Sequence, residues 1–134
     1  MTQEEKLLLL KDLSARLPYG VIGHYYLNKS LEWGEPERLI NMDLINERFI
    51  TQENDYAIEE FIVFLRPMSS MTEEEKKEYK SFSHFVKMNN HKADMIEVDL
   101  CYELIDWLHT NNFDYRGLIE KGLAINYETL ESNG

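Results

Sequence analysis

The stretch YAIEEFIVFL, residues 56–65, decides what kind of fold this chain adopts. Its second half, from Phe61 to Leu65, is an unbroken apolar run that suits a buried strand. Its first half, from Ala57 to Glu60, suits a helix, and periodicity leaves the two readings open. Arg66 and Pro67 close the segment, because proline disfavours helical geometry at the residue before it.

Upstream, residues 2–16 read as a helix. Thr2 and Glu5 have the spacing of a capping box, in which hydroxyl and carboxylate satisfy the first free backbone donors. The leucines at 7, 8, 9, 10 and 13 give it a broad apolar stripe, and Pro18 and Gly20 end it. Residues 21–27, VIGHYYL, read as a strand, with Gly23 marking a bulge or a close backbone approach. Residues 28–36, NKSLEWGEP, are a loop carrying Trp33. Residues 39–51 alternate imperfectly and read as one strand with a turn near Ile45 to Glu47, or as two short strands.

Downstream, Thr72 and Glu75 repeat the capping-box spacing and open a second helix. Residues 94–109 form the strongest helical pattern, with Met95, Val98, Cys101, Tyr102, Ile105 and Leu108 on one face and Asp99, Glu103 and Asp106 on the other. Asp114 is placed to cap a short last helix, Phe113 and Leu118 to staple it, and Gly122 to end it. The chain is expected to fray from about residue 128. Strands grouped between helices indicate an α+β fold, a small, mainly antiparallel sheet covered by an N-terminal helix and two or three C-terminal helices. No linker or low-complexity stretch divides residues 1–134, so one compact domain is expected.

The formal charge is −11, and it is spread evenly: seven basic against twelve acidic residues up to Arg66, seven against thirteen after it. Such a field repels phosphate backbones, so direct nucleic-acid binding is not expected, whereas docking on a basic protein is compatible with it. The leucine run at 7–10 is bordered by charge and too short for a secretory segment. Nothing approaches the ~20 apolar residues of a membrane helix. A cytoplasmic protein is expected, and a single cysteine, Cys101, fits a reducing compartment as a buried thiol.

No catalytic spacing stands out. The four histidines at 24, 84, 91 and 109 fall on separate segments without HExxH or CxxC spacing. His109, late in its helix, is placed to interact with the helix dipole. Ser69 and Ser70 lack a GxSxG elbow and read as turn residues, and no glycine-rich phosphate loop occurs. No cofactor is called for. The candidates left are for interaction: Trp33 in its loop, Arg66 in FLRP, and Tyr115 with Arg116 in DYRG. A guanidinium fork there either recognises a partner or bonds loop carbonyls and helix carboxylates, the second being the plainer reading.

Three segments, LPYG (17–20), LRPMSSMTEEE (65–75) and FDYRGLIEKGLA (113–124), resemble small proteins of uncharacterised activity from gut Bacteroidales and their phages and mobile elements. The resemblance runs from about residue 13 to 124 and is weakest over 28–55. It implies an intracellular accessory protein and supplies no mechanism. The leading expectation is therefore a non-enzymatic interaction protein with an unidentified protein partner. Two alternatives stand beside it: an acidic mimic that occupies a nucleic-acid-binding protein, and a small hydrolase or metal enzyme assembled from distant residues such as His24, His84 and Asp99. Oligomeric state is left open.

Overall fold

The computed structural model describes residues 1–27, 29–32, 34–88 and 95–128, with side chains described outside 83–88 and 95–101. Trp33, His91 and the expected frayed end therefore lie outside the described residues, as do the side chains of His84, Asp99 and Cys101. The elements are α1 (Gln3–Arg16), β1 (Val21–Tyr25), β2 (Glu37–Asp43), β3 (Arg48–Thr51), β4 (Asp55–Ala57), β5 (Phe61–Pro67), α2 (Glu73–Met88), α3 (Met95–Thr110), β6 (Phe113–Asp114) and β7 (Ala124–Asn126).

The apolar run is a strand. Phe61 to Leu65 are all buried in β5, and the helical half of the segment shrinks to one 3-10 turn over Ile58–Glu60. The sheet order is β4-β3-β2-β1-β5-β6, with β7 also paired to β5. The first four pairings along that path are antiparallel, and only β6 and β7 run parallel to β5. This is the α+β arrangement that the grouping of elements indicates. β5 lies inside the sheet, paired with β1 on one side and with β6 and β7 on the other, and its continuous apolar run is buried on both faces.

Both capping boxes form. Thr2 Oγ1 accepts from Glu5 N at 3.1 Å while Glu5 Oε1 accepts from Thr2 N at 2.9 Å, and Thr72 and Glu75 repeat the exchange at 3.2 and 2.9 Å. Leu9 and Leu13 of α1 pack on Val21, Leu39, Phe49, Phe61, Val63 and Leu65, so the first helix closes one face of the sheet. A second cluster gathers Met71, Leu108 and Phe113 with Leu104, Ile105 and Trp107. Of the apolar face expected for α3, Ile105 and Leu108 pack in this cluster, whereas Tyr102 is 66% exposed. Among the described residues, no helix is long and apolar enough to cross a membrane.

The last helix does not form. Phe113–Asp114 pairs with β5, and residues 115–123 are turns. Asp114 still accepts backbone bonds, from Leu118 N at 2.8 Å and Ile119 N at 2.9 Å. Gly117, however, has φ +72°, a left-handed turn that stops helical propagation at once. Phe113 and Leu118 then enter different apolar clusters instead of stapling one helix end.

Gly23 marks a close approach and keeps its register with β2 and β5. A Cβ there would sit 2.3 Å from the Phe61 ring and 2.7 Å from the Ile62 carbonyl oxygen. Gly23→Ala is therefore expected to destabilise the fold by about 1–3 kcal/mol, the usual range for overpacking. Urea unfolding checks this, and an unchanged midpoint would mean that the strands do not meet as described.

Candidate functional site

Helix α1 buries four residues, Leu9, Asp12, Leu13 and Arg16, so its apolar stripe contains two charges. Arg16 Nε donates to Asp12 Oδ2 at 2.7 Å with both side chains fully buried. Arg16 Nη2 donates to the Phe113 carbonyl oxygen at 2.6 Å, tying the helix to β6 across 97 residues. Arg116 Nε lies 3.2 Å from Asp12 Oδ1, close enough for an ion pair but off the axis of a hydrogen bond. One buried carboxylate thus serves two guanidiniums, and both stand about one ring-width from Tyr115, at 5.2 Å for Arg16 and 5.3 Å for Arg116.

The C-terminal end of α3 completes this corner. The Tyr115 hydroxyl lies 2.7 Å from His109 Nε2, and Tyr19 stacks edge-on against the same imidazole while its hydroxyl donates to Asp106. His109 is only 3% exposed. Burial first, and the Arg16 guanidinium second, push its pKa below the ordinary value. The lowered pKa disfavours the charged ring, and with it a cationic contact with the helix dipole. A charged imidazole here would have to be desolvated beside a guanidinium.

Arg66 occupies the adjoining corner. Its two terminal nitrogens grip Glu75 at 2.9 and 2.7 Å. Nη2 also reaches the Ser70 carbonyl at 3.3 Å, and the guanidinium lies 4.3 Å over the Phe113 ring. Glu75 is thereby both the capping carboxylate of α2 and the partner of Arg66. The Arg66 bond, ahead of the Thr72 contacts, holds the Glu75 carboxyl at about 2.

The structure therefore places Arg66 and Tyr115 against the cluster that holds Phe113, and Arg116 beside Asp12 and Tyr115, and commits each of them to intramolecular partners. As an assembly, the corner clamps α1, α2, α3 and β6 to one another. Sequence reasoning missed Asp12, Arg16, Tyr19 and Asp106 as members of it. Elsewhere, both ring nitrogens of His24 face backbone carbonyls, of Tyr25 at 2.7 Å and Gly34 at 3.2 Å, and its side chain is buried. A neutral imidazole carries one N–H and so donates to one of these two carbonyls at a time. Among the described residues, no group of three or more His, Cys, Asp or Glu is arranged to hold a metal ion. Comparison with protein-family models, with curated proteins and with solved structures found no match.

Two outcomes follow. Asp12→Ala strands the buried Arg16 charge and is expected to cost about 3–5 kcal/mol, read as a fall in the urea midpoint; a loss below about 1 kcal/mol would mean that water reaches the pair. The second concerns acid. Glu75 has an ordinary carboxyl pKa of 4.5 in the unfolded chain and about 2 in the folded one. Its contribution is thus complete above 4.5 and lost as pH falls through about 2. Arg66→Gln should flatten stability against pH across that window, measured by unfolding from pH 7 down to about 2. Parallel curves for the two proteins would contradict it.

Proposed function

We propose that this chain is a non-enzymatic interaction protein that docks on another protein through the β2–β3 turn. One observation carries the reading: Leu44 is 58% and Ile45 92% exposed, yet the turn that holds them is fixed. Asp43 Oδ1 accepts from Ile45 N and Asn46 N, both at 3.1 Å, and Asp43 Oδ2 accepts from Asn46 Nδ2 at 2.8 Å. Glu47 closes the turn at φ +54°. Its carbonyl accepts from Ile58 N at 3.1 Å, and its carboxylate pairs with Lys6 at 3.1 Å.

Apolar side chains displayed in water on a braced turn lose little conformational entropy on binding, which favours their use as anchors. Asp43 and Glu47 flank them in a chain of net charge −11. The partner that fits is a protein with an apolar pocket and a basic rim. In the setting that the sequence resemblance implies, this would be an accessory factor of a phage or mobile element acting on a host or element protein.

A photo-crosslinking residue placed at 45, in the organism that encodes the protein, tests the proposal. It should yield one discrete protein adduct that Leu44→Asp abolishes, while the same residue at the exposed position 11 yields none. With the partner in hand, Leu44→Asp should weaken binding by about tenfold or more. Identical adducts from both positions, or none from 45, would overturn the reading.

A further inference from the structure

A separate feature is a cleft of about 340 Å³ between the start of α1, the residues just after β1 and the turn before β7. Its volume falls within the roughly 300–1,000 Å³ of small-molecule sites. The floor is apolar, formed by Leu9, Ile58, Phe61 and Leu123, all of them buried. Four charged side chains line the cleft: Glu5, Glu59, Lys29 and Lys121.

The acidic pair is occupied. Glu5 is committed to the capping box with Thr2, and Glu59 lies 3.7 Å from Lys6. The side-chain ammonium groups of Lys29 and Lys121 make no hydrogen bond or ion pair among the described residues, and the Lys121 backbone N–H donates to the Gly117 carbonyl at 3.4 Å; Lys121 contributes only the smallest of the influences on Glu5, after the Thr2 bonds. Lys29 also sits at φ +59°, an uncommon conformation for a side chain of this kind, next to the bridge between Leu27 and Ser30. Two uncommitted ammonium groups over an apolar floor are a local exception in a protein of net charge −11.

We infer that this cleft binds a small amphiphile with a carboxylate head and an apolar body, the head on Lys29 and Lys121 and the body on Leu9, Phe61 and Leu123. The inference does not rest on the hairpin reading, and either one stands if the other fails.

The test uses the full chain with decanoate, decanol and decylammonium as probes, by titration calorimetry and by amide shifts in NMR. Decanoate should bind saturably, about tenfold tighter than the other two, and shift the amides of Leu9, Ile62 and Leu123. Combining Lys29→Glu with Lys121→Glu should lower decanoate affinity by about tenfold or more, as should the milder Lys29→Gln with Lys121→Gln to a smaller extent. Lys11→Glu, outside the cleft, should leave it unchanged, and thermal unfolding confirms that each variant is folded. Absence of saturable binding, equal affinity for the three probes, or native affinity in the double variants would overturn the assignment.

Discussion

The buried pair of Asp12 and Arg16 is the constraint on which the arrangement of the helices depends. Taking two charges out of water costs several kcal/mol per ion, and the mutual attraction offsets this only when the remaining polar atoms are also bonded. Arg16 meets part of that requirement through the Phe113 carbonyl, and Asp12 meets part through Arg116. The demand for satisfaction therefore fixes where β6 and the turn after it must lie. An apolar pair of similar volume could fill the same space, but it would not specify which backbone carbonyl docks on α1.

Phe113 links that clamp to the next one. Its carbonyl receives Arg16, while its ring lies under Arg66. Arg66 in turn holds Glu75, the residue that caps α2. A single short strand thus couples the N-terminal helix, the second helix and the central strand. Phe113 and Arg16 are fully buried, so the bond between them operates with little solvent screening, whereas the partly exposed Arg66–Glu75 pair is screened more.

Much of this was legible, and the exceptions have identifiable causes. Phe61 to Leu65 suited a buried strand because five consecutive apolar residues leave no polar face, but periodicity left a helix open over 56–65 until the pairing of β5 decided it. Gly23 and both capping boxes were legible because each rests on local geometry. The last helix was misread because Asp114 does accept backbone N–H groups, and sequence could not show that Gly117 turns left-handed between cap and helix. Arg66, Tyr115 and Arg116 stood out by isolation, but their partners come from distant segments. The signal for the missed pair was present: Asp12 and Arg16 fall in register with Leu9 and Leu13, so two charges occupy the stripe that must face the sheet. An ion pair four residues apart looks like ordinary surface decoration unless its phase against the leucines is also considered.

The same accounting of partners separates scaffold from surface. Arg16, Arg48, Arg66, Arg116 and Lys6 are each held by a carboxylate of the chain itself. Guanidiniums so committed would have to break an existing bond to recognise a partner, and a buried one would leave its carboxylate stranded as well. Recognition is less costly where side chains have nothing to give up. The apolar tip at Leu44 and Ile45 meets that condition through its exposure, and the cleft lysines meet it because their side chains have no partner among the described residues. The arginine corners, which stand out in the sequence, are better understood as scaffold that ties α1 and α2 to β6.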